Sequence, residues 1–345
     1  FFYVLDRATG ELLSAEAFGK VTWAEGIDME TGRPIEVPGA RYEDEPVVMW
    51  PSPLGAHNWQ PMSFNRDTGL VYIPYQELPG IYRNEGEDFR FRRRGFNTGA
   101  GLADIVDLPH DFTAGALLAW DPVNQREVWR TPRDIYWNGG TLSTAGNLVF
   151  QGTGSGRFEA LSADQGETLW HFDAQTGIVA APMSYELDGE QYVAVMAGWG
   201  GAGALLGGEA ISVARVSNIS RMLVFKLDGE AALPARPEPT EMTRVRSTEE
   251  PADEATLAAG QKLYQDICAV CHGVGVISGG VTPDLRMYPA GMTAAFEAVV
   301  RGGALEAHGM PGYQELIEDP ALAALQAYLD HRAEETLPAP DKDAD

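Results

Sequence analysis

The stretch "QDICAVCHGV" (residues 265–274) contains both cysteines of the 345-residue chain. A disulfide of the thioredoxin type is one interpretation of Cys-x-x-Cys, but it is typical of a βαβ setting and the flanks here have a helical pattern. A structural zinc site needs four ligands, and Cys268, Cys271 and His272 supply three. Cys-x-x-Cys-His is also the attachment signature of a c-type haem, in which the two thiols bond the haem and the adjacent His binds its iron. The motif favours haem.

The segments around this motif have the pattern of amphipathic helices. Upstream, "PADEATLAAGQKLYQDI" (251–267) places one apolar stripe at helical spacing: Leu257, Leu263, Tyr264 and Ile267. Downstream, "EDPALAALQAYLDHRAEE" (318–335) has Asp319 as a helix cap and Pro320 at the first helical position. The predicted buried face of this second helix is Leu322, Leu325 and Leu329. A helix that runs into the haem motif and a helix that closes the domain are the layout of a class I cytochrome c.

A haem of this type needs a second axial ligand for its iron. The candidates are Met287, Met292, Met310 and, less suited, His308. Met292 precedes the apolar run "AAFEAVV", which places it at the start of a helix. Met310 lies in "HGMPGY", a loop with Gly and Pro that can hold a side chain over a flat group. We therefore expect His272 and Met310 to be the iron ligands, a pair that raises the haem potential.

The first 230 residues have a different character. All eight tryptophans of the chain lie between Trp23 and Trp199. Short apolar runs alternate with turn signals such as Asp-x-x-Thr-Gly, which are typical of tight hairpins. Two runs, "LLAWDPVNQREVWR" (117–130) and "FEALSADQGETLWHF" (158–172), form an imperfect repeat about forty residues apart. Repeats of this length, each able to form one four-stranded sheet, predict a β-propeller.

Four stretches carry a resemblance to a known family: "FFYVLDRATG", "GAHNWQPMSFNRDTGLVYIPYQ", "YWNGGTLSTAGNLVFQGTGSGRFEALSADQGETLW" and "YVAVMAGWGG". They resemble the C-terminal half of the propeller of quinoprotein alcohol dehydrogenases, which carry pyrroloquinoline quinone (PQQ) and calcium. A propeller of this family joined to one C-terminal cytochrome c resembles the quinohaemoprotein alcohol dehydrogenases. The implied fold is part of an eight-bladed all-β propeller followed by an all-α class I cytochrome c domain.

The resemblance also implies residues for the quinone site. Asn58, beside Trp59, corresponds to an Asn that approaches the polar edge of the quinone. Trp137 corresponds to the aromatic side chain against the ring plane, and a stacked Trp suits a flat cofactor. The "GWGG" stretch would present backbone and indole groups to PQQ through Gly198, Trp199 and Gly200. In the family the general base and the calcium ligands precede the position of Phe1, so no catalytic residue is assigned and the chain is expected to be part of a larger enzyme.

The implied activity is the oxidation of primary alcohols to aldehydes, with electrons passed singly to haem c and then to an external copper protein or cytochrome. Two alternatives remain. One is the cytochrome-bearing large subunit of a membrane-associated quinoprotein dehydrogenase. The other is an electron-transfer protein whose propeller does not catalyse.

Shifts in amino-acid composition along the chain predict the domain boundaries, and the net charge limits the classes of binding partner. We predict a propeller part at 1–230, a linker rich in Pro and Glu at 231–254, a cytochrome c domain at 255–334 and a disordered acidic tail at 335–345. The net charge of −25 excludes a general nucleic-acid binder, despite one basic run, "FRFRRRGF" (89–96). No apolar run reaches the roughly twenty residues of a membrane helix. Covalent haem and the resemblance place the protein in the bacterial periplasm.

Overall fold

A computed structural model describes residues 1–91, 97–99, 114–200, 203, 205, 218–236, 252–287 and 292–336. Of these, residues up to Phe89 together with 114–200 and 218–236 belong to one compact unit, and those from 252 onward belong to a second. Most of the basic run at 89–96, much of the proposed linker and most of the acidic tail lie outside the described residues.

The first unit consists of antiparallel strands in consecutive sheets. Two sheets have four strands and one has three, in the orders β10-β9-β7-β6, β11-β12-β13-β14 and β15-β16-β17. Three further sheets have two strands each, namely β1-β2, β3-β4 and β5-β8. The strands are β1 Phe2–Leu5, β2 Leu12–Glu16, β3 Ala24–Ile27, β4 Pro34–Glu36, β5 Val47–Met49, β6 Ser63–Asn65, β7 Leu70–Glu77, β8 Gly80–Tyr82, β9 Ala114–Asp121, β10 Arg126–Arg133, β11 Thr141–Thr144, β12 Leu148–Gly152, β13 Arg157–Ser162, β14 Thr168–Asp173, β15 Met183–Leu187, β16 Glu190–Ala197 and β17 Arg221–Lys226.

The hairpin turns form as the sequence predicts. In the first, Asp6 Oδ1 accepts hydrogen bonds from the backbone N–H groups of Ala8 (2.8 Å) and Thr9 (2.9 Å). Gly10 follows at φ +78°, a conformation that side chains disfavour. Asp28 and Asn65 make the same kind of turn in the later hairpins. In these three turns the side-chain oxygen accepts backbone hydrogen bonds within the turn, which stabilises the tight connection between the two strands.

Apolar side chains on both faces of the sheets hold consecutive sheets together. In β9, Leu117 and Ala119 join one buried cluster and Leu118 and Trp120 join another, so both faces of this strand are covered. The first of these clusters also contains Val149 and Leu161 of the next sheet along the chain. Sheets that pack face to face in chain order form the blades of a propeller.

Tryptophans contribute to the same packing. The Trp129 indole Nε1 of β10 donates a hydrogen bond to Ala163 O in the following sheet (3.1 Å). Trp170 of β14 contacts the Phe225 ring of β17, with ring centroids 5.3 Å apart. These two tryptophans therefore each contact the sheet that follows along the chain.

The second unit is helical. It contains α1 Glu254–Leu263, a wider π turn at Tyr264–Cys268, α2 Ala269–His272, α3 Met292–Val300 and α4 Asp319–Thr336. Asp253 caps α1 by accepting a hydrogen bond from Thr256 N at 2.8 Å. Leu325 and Leu329 of α4 are buried in one cluster with Tyr264 of the π turn, as the predicted stripes require.

Candidate functional site: a haem-binding motif and a tryptophan–glycine cluster

The Cys-x-x-Cys-His motif lies where α1 widens into the π turn and continues as α2. Helix α2 ends at Gly273, whose φ of +84° redirects the chain. The buried Tyr264 hydroxyl donates a hydrogen bond to Gly273 O at 2.7 Å. Cys268 is half-buried, Cys271 is exposed, and the two thiols do not form a disulfide. The motif therefore presents two free thiols and a histidine on one short, anchored stretch of helix.

Burial determines the chemistry of these groups. Burial raises the pKa of the Cys268 thiol to about 12, with a smaller contribution from Cys271, so Cys268 is protonated at neutral pH. Burial also lowers the pKa of His272, which favours the neutral imidazole. His272 Nδ1 lies 3.0 Å from Pro283 O. Since a carbonyl only accepts, Nδ1 carries the hydrogen and the lone pair lies on Nε2, the arrangement of a metal-ligating histidine.

The loop that supplies Pro283 is held in place by polar contacts. Thr282 Oγ1 donates to Cys271 O, and Ser278 Oγ donates to Thr282 O, each at 2.5 Å. Asp284 forms an ion pair with Arg286 at 2.7 Å, with both side chains largely buried. Sequence reasoning did not single out Pro283, and its signal is weak because any backbone carbonyl could serve as the acceptor.

The proposed second ligand, Met310, follows a short turn at Glu306–His308. Gly309 adopts φ +93°, and Met310 N donates to Leu305 O at 3.2 Å. The Met310 side chain is half-buried and packs against the same apolar cluster as Cys268. The motif and the loop therefore share one core.

The other candidate ligands are placed less favourably. His308 is exposed, and Met292 is the first residue of α3, as predicted. Met287 is half-buried but is not among the residues that contact the cluster around Cys268.

In the first unit, a tryptophan–glycine cluster forms from residues far apart in the sequence: Trp137, Gly154, Gly177 and Trp199. A Cβ on Gly154 would lie 2.5 Å from Trp137 O, and a Cβ on Gly177 would lie 2.6 Å from the Trp199 ring and 2.9 Å from Gly154 O. Glycine is thus required at both positions. Trp137 and Trp199 are 2% and 1% exposed.

The "GWGG" stretch approaches this cluster through its backbone. Gly198 adopts φ +140°, and its N–H donates to Gly177 O at 2.8 Å. Trp199 N donates to Asn218 Oδ1 at 3.1 Å. Gly200 is exposed, and a Cβ there would meet no atom of the described residues within 4 Å. Of the three predicted residues, Gly198 and Trp199 join the cluster and Gly200 borders it.

The "HNWQP" loop approaches the segment that follows Trp137. Pro61 lies against Gly140, since a Cβ there would be 2.6 Å from Pro61 Cδ. Asn58 is bound locally: its Nδ2 donates to Leu54 O at 2.7 Å and its Oδ1 accepts from Trp59 N at 2.8 Å. The amide keeps one hydrogen and one lone pair for another partner. Trp59 is 52% exposed, so it is not part of the buried cluster.

Two buried polar atoms in this region have no hydrogen-bond partner among the described residues. They are Trp199 Nε1, a donor, and Gln60 Oε1, an acceptor. Unpaired buried groups are rare in native proteins and are commonly satisfied by a ligand or water. Both indoles are almost fully buried by the protein itself, with Gly177 against the Trp199 ring, so neither presents an open face to a flat ring in this structure. Gln60 was missed by sequence reasoning, although it lies two residues from Asn58.

The two units therefore define a class: sheets of a β-propeller, joined in one chain to a helical unit with the haem-attachment motif of a c-type cytochrome. A family model described as "Glucose/ethanol/alcohol dehydrogenase, beta-propeller domain" matches residues 113–193. A second, "Cytochrome C oxidase, cbb3-type, subunit III", matches residues 255–329. These matches confirm the predicted propeller and cytochrome c folds.

Known proteins share both parts. Quinohemoprotein alcohol dehydrogenase ADH IIB of Pseudomonas putida is 56% identical over 100% of this chain and 50% of its own length. The dehydrogenase subunit of the Acetobacter aceti alcohol dehydrogenase (quinone) is 39% identical over 97% of this chain and 47% of its own length. The solved structure of quinohemoprotein alcohol dehydrogenase ADHIIG from Pseudomonas putida HK5 superimposes with a TM-score of 0.86 at 40% identity, over 97% of this chain and 50% of that one.

The chain is a homologue of the quinohaemoprotein alcohol dehydrogenases, as its sequence predicts, and it spans about half the length of the curated relatives it matches.

Proposed function

We propose that this chain is the propeller-and-cytochrome part of a PQQ-dependent alcohol dehydrogenase that oxidises primary alcohols to aldehydes. The observation that carries the proposal is the presence of two cofactor-type sites in one chain. One is the tryptophan–glycine cluster of the propeller, and the other is the Cys-x-x-Cys-His motif of the helical unit. The similarity to quinohemoprotein alcohol dehydrogenase ADH IIB over the whole chain supports it.

In the helical unit, Cys268 and Cys271 would form the thioether bonds to haem c. His272 would bind the iron through Nε2, because its Nδ1 is engaged with Pro283 O. Met310 would be the second protein ligand of the iron, and its side chain packs against the same core as Cys268. Bound haem supplies one-electron transfer, and the anchored loops at Pro283 and Met310 would keep the ligand geometry fixed.

In the propeller unit, Trp137 would lie against the plane of PQQ. Trp199, Gly198, Gly200 and Asn58 would face its polar groups, with Trp59 beside them. Bound PQQ supplies an electrophilic carbonyl that accepts a hydride from the alcohol. Of these side chains, Trp59 is exposed, whereas the Trp137 and Trp199 indoles are almost fully buried by the protein itself. The unpaired Trp199 Nε1 and Gln60 Oε1 add a donor and an acceptor to the same region.

Calcium, the compartment and the partners are further parts of the proposal. Calcium would polarise the quinone, as the family resemblance implies; within the described ranges, no three or more His, Cys, Asp or Glu side chains are grouped to hold a metal ion. A periplasmic location is consistent with covalent haem, and a copper protein or a cytochrome would accept the electrons. No described helix is both long enough and apolar enough to cross a membrane.

The visible spectrum of the haem tests this function. The intact protein would be produced with covalent haem, loaded with PQQ and calcium, and mixed with a primary alcohol without other reductants. We expect the alcohol to reduce the haem. A tertiary alcohol, which has no hydrogen on its hydroxyl-bearing carbon, and a sample without PQQ are the controls and should leave it oxidised. A haem that ascorbate reduces but a primary alcohol does not would contradict the proposal and favour a non-catalytic electron-transfer protein.

A further inference from the structure

The loop that follows the haem-binding motif returns to His272 and contacts it through a backbone carbonyl. Pro283 O lies 3.0 Å from His272 Nδ1, although the two residues are 11 positions apart in the sequence. One anchor of the loop lies just before this carbonyl, where Thr282 Oγ1 donates to Cys271 O at 2.5 Å. An anchor on one side leaves the carbonyl able to rotate, so its position also depends on what holds the residues after Pro283.

A carboxylate–guanidinium pair provides a second anchor directly after Pro283. Arg286 donates to Asp284 through two nitrogens, Nε to Oδ1 at 2.9 Å and Nη2 to Oδ2 at 2.7 Å. Arg286 Nη1 donates to Thr336 Oγ1 at 3.0 Å. Asp284 Oδ1 also accepts from the backbone N–H of Arg286 at 3.0 Å. The planar guanidinium therefore joins the residue after Pro283 to the last residue of α4.

Helix α4 also contacts the start of the same loop. Arg332, one turn before Thr336, donates through Nε to Gly275 O at 3.1 Å. Gly275 closely follows His272 in the sequence and adopts φ +67°, a conformation that side chains disfavour. Thr336 Oγ1 donates to Arg332 O at 2.5 Å, so both contacts arise from one turn of the helix. The C-terminal turn of α4 thus holds the loop on both sides of its contact with His272.

Helix α4 is a firm support for the loop because its other face is packed in the core. Leu325, Tyr328 and Leu329 are buried in the same apolar cluster as Tyr264 of the π turn. The rings of Tyr264 and Tyr328 are in contact, with centroids 5.8 Å apart. A shift of the loop against α4 is therefore also a shift against the haem-binding motif.

The charged groups of these contacts are largely withdrawn from water. The side chains of Arg286, Asp284 and Arg332 are 11%, 13% and 16% exposed. A buried ion pair adds little net stability, because the cost of removing both charges from water offsets their attraction. It does restrict geometry, since the fork of Arg286 matches one orientation of the carboxylate. The pair is therefore better suited to fixing the loop than to stabilising the fold.

We propose that Asp284, Arg286 and Arg332 are positioning residues that set the reduction potential of the haem. They do so by holding the Pro283 carbonyl against His272 Nδ1, and none of the three needs to touch the haem. The inference rests on the proposed function for the presence of haem. A firm hydrogen bond on Nδ1 makes Nε2 a stronger electron donor, which favours the oxidised iron. A looser hydrogen bond weakens that donation, so the potential rises.

Three variants separate position from charge and from stability. Arg286→Met leaves the Asp284 carboxylate without its counter-ion, so we expect a lower unfolding temperature. The double variant, Arg286→Met with Asp284→Asn, removes both charges, keeps an oxygen for the backbone N–H and should recover most of that loss. Thr336→Val removes the hydroxyl that joins the pair to α4 and leaves all charges in place. The more exposed ion pair of Lys262 and Asp266, 3.0 Å apart, gives the matched control, Lys262→Met with Asp266→Asn.

Two measurements on the haem-loaded full chain report position. In protein labelled isotopically at its six histidines, NMR identifies the iron-bound one by the large shift of its ring resonances when the haem is oxidised. The exchange of its Nδ1 hydrogen with water, in protein reduced by ascorbate, reports the hydrogen bond, and an equilibrium redox titration gives the potential. In the double variant we expect about tenfold faster exchange and a higher potential than in wild type. Thr336→Val should change both in the same direction by less, and the control should change neither.

The outcomes distinguish the inference from the proposed function. An unchanged exchange rate and an unchanged potential in the double variant would overturn the inference. A changed potential with unchanged exchange would assign the effect to charge and would overturn it too. Neither measurement uses PQQ or an alcohol, so a haem that alcohol fails to reduce contradicts the proposed function and leaves the inference standing. Wild-type protein without covalent haem would overturn both. Faster exchange with a higher potential, at restored stability, supports the inference.

Discussion

At the scale of single residues, a hydrogen bond on one ring nitrogen of His272 prepares the other nitrogen to bind a metal. His272 donates through Nδ1 to a backbone carbonyl, so its other nitrogen is left with the lone pair. The proposed second ligand, Met310, depends on the backbone conformation of a glycine. Gly309, at φ +93°, turns the chain so that Met310 reaches the core while His308, two residues earlier, is exposed. The left-handed Gly309 thus separates the half-buried thioether of Met310 from the exposed imidazole of His308.

This arrangement predicts the effect of replacing the methionines. Met310→Ala should lower the reduction potential of the haem by on the order of 0.1 V or more, within the roughly 0.8 V that axial ligands span, because a thioether ligand stabilises the reduced iron. Met287→Ala is the matched control and should leave the potential unchanged. Equilibrium redox titration followed in the visible spectrum measures both. An equal potential in Met310→Ala and wild type would show that Met310 is not a ligand.

At the scale of helices and strands, much of the fold could be predicted because its signals are local. The Asp6 turn and the Leu325 and Leu329 stripe depend on residues a few positions apart. The candidate sites were predictable only in part. Trp137 and Trp199 are marked by the "WNGG" and "GWGG" stretches, but Gly154 and Gly177 contact them only through packing of distant strands. No spacing in the sequence encodes such a contact.

One helix contact carries a sharp prediction. Gly260 of α1 lies against α4, and a Cβ there would be 2.1 Å from Ala324 O. On an exposed helix, Gly→Ala stabilises by about 1 kcal/mol. At this crossing Gly260→Ala should instead destabilise by about 1–3 kcal/mol, because the two backbones must separate.

The neighbouring Ala259 is exposed and supplies the control for that variant. Ala259→Gly should cost only the helix-propensity difference, about 0.5–1 kcal/mol. Denaturant unfolding of the haem-loaded protein, followed by circular dichroism, gives both free energies. A Gly260→Ala variant that is more stable than wild type would contradict the close helix crossing.

At the scale of the whole molecule, net charge affects how fast a charged partner approaches the protein. The chain carries 50 acidic and 25 Lys and Arg side chains. The part that contains the haem-binding motif, residues 252–336, is also acidic, since its carboxylates outnumber its Lys and Arg residues. A strong field of one sign attracts counter-charged partners and repels others, and salt screens it. Electron release from the haem should therefore depend on the charge of the acceptor.

Two small oxidants of opposite charge make this dependence measurable. The haem would first be reduced with ascorbate, which removes any need for PQQ, and then mixed rapidly with tris(phenanthroline)cobalt(III), a cation, or with ferricyanide, an anion. The Debye length falls from roughly 30 Å at 0.01 M salt to roughly 3 Å at 1 M. Over that range we expect the cation's rate constant to fall by about tenfold or more and the anion's to rise, because attraction and repulsion are both screened. Benzoquinone, which is neutral, is the control and should show little change. Equal salt dependence for the cation and the anion would mean that the acidic surface does not act at the haem edge, and that a partner's charge does not govern its encounter with this protein.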